Sequence, residues 1–181
     1  QVREEAWPLV RSVDEMHDAL YSLAYVTAAE AQLHGYATHL RTLVSAGRCC
    51  LLDTGAAQFW VAAERLPLLR TLYPKVVCEP SLALPPSLLR ETWEDDAALR
   101  EVLRRRLEGL GPVTSDRLVA ELGLRPVLVE VALLGLETEG FAFRGQFSTL
   151  LQGSTQWCER RLLQRIHRYT IDSHRQSIKP V

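Results

Sequence analysis

Lysine is nearly missing from this chain. Of 21 basic residues, 19 are Arg and only Lys75 and Lys179 are Lys, a bias that suits bidentate phosphate binding and equally follows from a GC-rich coding sequence, so arginine content alone assigns nothing. Long apolar runs are missing too, which excludes a transmembrane span, and the N-terminal stretch QVREEAWPLV lacks the basic, apolar, small-residue order of a signal peptide. A cytoplasmic location is therefore expected. Four cysteines, Cys49, Cys50, Cys78 and Cys158, show neither C-x-x-C spacing nor the density of a secreted scaffold, so reduced thiols are expected. Five histidines make no H-E-x-x-H or i, i+4 pair, leaving no metal site to name. The phosphate loop and the G-x-S-x-G elbow are absent, so no catalytic residue is named and no cofactor is expected in this segment. Without an initiator Met, the sequence reads as a piece of a longer protein.

What is present is an uneven charge. The formal net charge is -1, yet the last 24 residues hold six basic and two acidic residues, against 15 basic and 20 acidic in the rest. A near-neutral to acidic body thus carries a basic tail, WCERRLLQRIHRYTIDSHRQSIKPV, and such asymmetry points to an anionic partner. On a helix, Leu162, Leu163, Ile166, Tyr169 and Thr170 share one arc, with Arg161, Arg165 and Arg168 in an adjoining stripe. Arg160, His167, Arg175 and Lys179 widen the positive surface.

The remainder reads as one helix, helix, hairpin arrangement used twice. Capping boxes at Ser12/Glu15 and Thr27/Glu30, an apolar stripe at Val13, Met16, Leu20 and Leu23, and Gly47 closing a helix over 34–46 predict the helices of residues 1–73. Arg48–Leu52 and Gln58–Ala62 flank Asp-Thr-Gly-Ala as a hairpin, and Glu64–Tyr73 returns as a short helix broken by Pro67. Residues 94–150 repeat the order: a helix to Leu110 stopped by Gly111-Pro112, Thr114 capping Ser115–Leu122, a helix from about Pro126 to Glu139, and strand-like Phe141–Phe147. LRTLVSAGR aligns with LLGLETEGF, and Val26-Thr27 with Val113-Thr114. Four prolines make 74–93 a linker or extended strand. The expected fold is helix-rich α+β: tandem winged-helix-like modules (1–73 and 94–150) and a basic amphipathic helix (151–181).

A winged helix commonly reads duplex DNA with its third helix. Here that helix in the second module, VLVEVALLGLETEG, has Glu130, Glu137 and Glu139 and no basic residue, so phosphates repel it and packing against protein fits better. The candidate nucleic-acid-binding residues are instead Trp157, as a stacking platform, with Arg160, Arg161, Arg165, Arg168 and Arg144 of the wing. The alternative is that these arginines pair with surface acids and Trp157 fills the core. Arg104, Arg105 and Arg106, among five nearby acids, read as a salt-bridged exposed face. LLDTGA has the wording of a retroviral-type aspartic protease site, but helices flank it and a tight turn accounts for it.

Three segments, GPVTSDRLVAELGL, VEVALLGLETEGFAFRGQF and WCERRLLQRIHRYT, together with WPLVRSVDEMHDAL, resemble the large-helicase-related (Lhr) family of bacterial DNA helicases. The resemblance implies an accessory region downstream of superfamily 2 motor domains. It further implies a 3′-to-5′ translocase acting in DNA repair on single-stranded DNA and RNA–DNA hybrids, with ATP and Mg2+ held by the motor domains and this region packed against them. Two other readings stay open. One is a DNA-glycosylase-like module, with Asp172 beside Arg168 and Arg175 as its carboxylate. The other is a scaffold that binds protein through Glu130–Glu139 and the apolar faces.

Overall fold

A computed structural model describes residues 6–148 and 153–177, with side chains as far as Ile171. The chain folds as helix-rich α+β with two small antiparallel sheets. The first unit runs α1 (Val13–Leu23), β1 (Val26–Thr27), α2 (Ala28–Leu33), α3 (Ala37–Ser45), β2 (Cys49–Asp53), β3 (Gln58–Ala62), a 3-10 turn (Ala63–Arg65) and α4 (Leu66–Leu72). After β4 (Val77–Glu79) and α5 (Pro86–Leu89), the second unit runs α6 (Asp95–Leu110), β5 (Val113–Thr114), α7 (Ser115–Leu122), α8 (Pro126–Thr138), β6 (Ala142–Gly145), β7 (Gln156–Glu159) and α9 (Arg160–Ser177).

Local chemistry sets most boundaries. Ser12 caps α1 by accepting from Glu15 N at 3.1 Å. Thr27 and Glu30 form a reciprocal capping box on α2, whereas Thr114 caps α7 from its side alone. Gly47 (φ 67°) and Gly140 (φ 70°) end α3 and α8 in the same way. In each, the next amide bonds back into the helix, Arg48 to Leu43 O at 2.9 Å and Phe141 to Leu136 O at 3.0 Å. Pro67 starts α4 instead of breaking it, because its missing N–H falls in the first turn where no intrahelical acceptor is lost.

The duplication extends to register. β1 pairs with β3 so that Val26 faces Trp60, and β5 pairs with β7 so that Val113 faces Trp157. In both sheets the last hairpin strand therefore bridges its hairpin partner and the short Val-Thr strand, giving orders β1-β3-β2-β4 and β5-β7-β6. Two expectations need correction. Gln156–Glu159 is a strand, buried throughout, and the basic helix begins only at Arg160; residues buried on both faces cannot form the start of a half-exposed helix. The Pro-rich stretch is no free linker, since β4 hydrogen-bonds to the outer edge of β2, with Leu52 opposite Cys78.

The two units share a core. One hydrophobic cluster joins Tyr25, Leu52, Phe59 and Leu69 of the first to Leu103, Leu118, Val129 and Trp157 of the second. α4 buries Leu66, Leu68 and Leu69 and packs on α6; at about 1.5–3 kcal/mol for each fully buried leucine, this is a fastening and not a tether.

Candidate nucleic-acid interface

The expected site residues divide sharply. Trp157 is 2 % exposed inside the shared core, facing Val113 and Arg144 across the sheet. No base can stack on it, because the hairpin needs its central strand there and that strand's large side chain fills the interior. Arg144 is exposed on β6 and pairs with Glu137 at 3.2 Å. Arg160, Arg161 and Arg168 lie exposed on α9, with Arg165 half-buried. His167 is exposed, while the side chains of Asp172, Arg175 and Lys179 lie outside the described residues.

Three of these arginines converge. A cleft of about 530 Å³ opens where the α6 C-terminus, the α8–β6 junction and the start of α9 meet; Glu108, Phe141 and Glu159 line it with Arg160, Arg161 and Arg165. The geometry is held by backbone: Arg160 N donates to Phe141 O at 2.9 Å, and the Glu159 carboxylate accepts from Leu162 N at 2.9 Å. Glu159 thus caps α9, where the helix dipole favours a negative charge. No carboxylate among the described residues lies within ion-pair distance of Arg160, Arg161 or Arg168. Burial raises the Glu108 carboxyl above its ordinary range, an effect opposed by Arg105 and Arg161 and reinforced by Glu159.

The first unit shows why this cleft is open. Its matching positions, counted from the equivalent Val–Trp pairs, are Tyr21 for Glu108 and Arg65 for Leu162. Arg65 lies 4.1 Å over the Tyr21 ring and donates to Tyr21 O at 2.9 Å, which closes the gap. Leucine and glutamate in the second unit cannot stack, so the space stays accessible.

Sequence reasoning missed three elements. Glu108 escaped because only tertiary packing brings the end of α6 to α9. Phe143, 38 % exposed on β6 two residues after the cleft-lining Phe141, is an outward-facing aromatic, as is Tyr169 on α9; strand alternation around the buried Ala142 was the available signal for Phe143. Arg106 is no exposed residue at all. It is fully buried on α6, donating to Glu30 at 2.5 Å and Glu121 at 2.6 Å, with its guanidinium over Tyr25 and Trp7. Arg104 and Arg105 do form the expected surface pairs, with Glu101, Glu108 and Glu139.

Other motifs take plain structural roles. Asp53 and Thr54 build the β2–β3 turn, where Gly55 N donates to Asp53 at 2.8 Å and Thr54 N to Ala57 O at 3.0 Å. The Gln58 amide and the Gly55 N–H hold the Asp53 carboxyl below its ordinary range. No His, Cys, Asp and Glu group among the described residues could hold a metal ion, and no described helix is long and apolar enough to cross a membrane. α8 exposes Val127, Leu128, Val131 and Leu134 as an apolar stripe.

No family model matches the chain. Over 139 residues it is 26% identical to a protein of Mycolicibacterium smegmatis described as an Lhr helicase and probable uracil glycosylase, a similarity covering 77% of this chain and 9% of that protein. The chain thus spans under a tenth of the length of the relative it matches.

Proposed function

We propose that this chain is an accessory, non-motor segment of an ATP-dependent 3′-to-5′ DNA helicase of the cytoplasm, serving DNA repair, in which α9 holds single-stranded DNA beside the motor. The observation that carries this reading is the convergence of Arg160, Arg161 and Arg165 on one open cleft, with Arg168 continuing the stripe. Guanidinium groups on a helix present fixed forks to successive phosphates without reading bases. Phe143, rather than Trp157, takes the stacking role, since a base needs an exposed ring. The tandem helix-helix-hairpin units, winged-helix-like in order, act as a rigid wall because their shared core admits no hinge between them. The apolar stripe of α8, with Val127, Leu128, Val131 and Leu134 exposed, is the surface offered to the motor domains. The nucleotide chemistry, with ATP and Mg2+, is assigned to the motor domains that the resemblance implies. An RNA–DNA hybrid is the second strand partner, engaged through its displaced single strand.

Charge reversal tests the proposal. In the full-length protein, Arg161→Glu with Arg165→Glu and Arg168→Glu should weaken single-strand binding and flatten its salt dependence by about 2, at roughly 0.7 for each phosphate no longer neutralised. Unchanged affinity and slope would overturn it.

One observation favours a second reading, a base-excising module: Glu108, whose carboxyl partial burial raises above its ordinary range, lines an arginine-bearing cleft. It replaces Asp172 as the carboxylate of that reading. Excision of uracil from single-stranded DNA that disappears in Glu108→Gln would support it, and absence of excision in the wild type would remove it.

A further inference from the structure

We infer that the cleft at the start of α9 takes the Watson–Crick edge of an unstacked guanine, with Glu108 as the residue that selects this base. The inference rests on the reading that α9 holds single-stranded DNA, and it accounts for a carboxylate that phosphate binding alone leaves unexplained. Glu108 lines the cleft together with Arg160 and Arg161. Three effects disfavour an anion at this place. Partial burial raises the carboxyl, an effect opposed by Arg105 and Arg161; Glu159 and Glu101 repel its charge. Its position in the last turn of α6 also sets it against the negative end of the helix dipole. An approaching phosphate meets repulsion there as well. A group that neither the helix nor a phosphate favours suits a ligand that brings hydrogen-bond donors.

The Glu108 oxygens are available to such a ligand. Arg105, the residue that pairs with Glu108, stays at 3.9 Å, beyond hydrogen-bond distance. Neighbouring carboxylates are committed: Glu101 accepts from Arg105 at 2.7 Å, and buried Glu159 accepts from Leu162 N at 2.9 Å. Exposed Arg161 stands near enough for its charge to act on Glu108, so the cleft sets carboxylate acceptors beside guanidinium donors. Guanine carries the complement, N1–H and the N2 amino group side by side and then the O6 acceptor. Adenine and cytosine place one amino donor next to a ring nitrogen that a carboxylate repels, and thymine flanks its single N–H with two carbonyls. A single strand leaves these edges unpaired. Space is also present, since Gly140 lines the cleft and a methyl group added there would meet nothing within 4 Å. The first unit has no such reader: Tyr21 stands in place of Glu108, covered by Arg65.

The test uses the full-length protein and fluorescein-labelled oligothymidylate strands carrying one central guanine, hypoxanthine, adenine or cytosine, with binding followed by anisotropy. The guanine strand should bind about tenfold more tightly than the adenine and cytosine strands, within the range of one bidentate contact. Hypoxanthine, which keeps N1–H and O6 but lacks the N2 amino group, should lose most of that preference. Glu108→Gln should bind all four strands alike, at an affinity no lower than that of the wild type for the adenine strand, because the arginines remain. Arg161→Glu with Arg165→Glu and Arg168→Glu should weaken binding of all four. Strand binding that depends on these arginines but shows no guanine preference would overturn the inference while leaving the role of α9 intact, as would a preference that survives in hypoxanthine or in Glu108→Gln. Strand binding unaffected by the arginine changes would overturn both.

Discussion

The Arg106 guanidinium donates at 2.5 Å to the carboxylate of Glu30, joining α6 of the second unit to the capping box that starts α2 of the first. Glu121 takes its other edge at 2.6 Å and also accepts from the Tyr25 hydroxyl at 2.7 Å. Two carboxylates hold the buried guanidinium charged, and burial with the Glu121 charge pushes the Tyr25 hydroxyl well above its ordinary range. Removing one member strands the others. Arg106→Met should cost about 3–5 kcal/mol in urea unfolding, because two carboxylates are left buried without a cation. The triple change Arg106→Met, Glu30→Gln and Glu121→Gln should recover a substantial part of that loss.

Close packing between the units gives an independent test. Gly123 ends α7 with φ 65°, and a methyl group there would lie 2.8 Å from Ala56 Cβ in the hairpin turn of the first unit. Gly123→Ala therefore combines an unfavourable backbone region with a steric overlap. A loss of about 1–3 kcal/mol is expected, whereas Gly47→Ala, which meets nothing within 4 Å, should show only the backbone part.

Glu108 sets a pH dependence. Its carboxyl is raised in the folded chain, so protonation is favoured on folding, and its stabilising contribution is complete below the unfolded value of about 4.3 and disappears as pH rises through the folded value. Glu108→Gln should therefore be more stable than the wild type at neutral pH and equal to it at strongly acidic pH. Thermal melts across that range read the difference; a gap that widens on acidification would contradict the sign.

The thiols should differ in reactivity. Burial pushes the Cys49 and Cys158 thiols up to about 12 and raises that of Cys50 as well. Cys78, on the edge strand β4, is only half-buried. Alkylation of the native protein at mildly alkaline pH, read by peptide mass spectrometry, should label Cys78 first and the other three only on unfolding.

Much of the architecture is legible in residue order alone, because its causes are local. Thr27 with Glu30, Thr114, Gly47 and Gly140 set helix ends through bonds that span a few residues, and the repeated Val-Thr pairs mark both short strands. The basic stripe of α9 is equally readable from helical period. Where the sequence misled, the decisive neighbour lay far along the chain. Nothing near Arg106 distinguishes it from Arg104 and Arg105; it is buried because Glu30 and Glu121 arrive from other helices. Trp157 looked like the entry to a basic helix, yet pairing with Val113 and Arg144 makes it a core strand residue.

The same division holds for function. Residue order is enough to establish that a cationic amphipathic helix pattern follows a near-neutral to acidic body, since charge and spacing are properties of the chain. Which groups share a surface is a matter of folding in three dimensions. Packing closed one cleft with Arg65 over Tyr21 and left its counterpart open beside Glu108. It turned Thr38 and Arg41 to solvent on one third helix and Val131 and Leu134 on the other. Those outcomes depend on neighbours tens of positions apart in the chain, which periodicity does not encode.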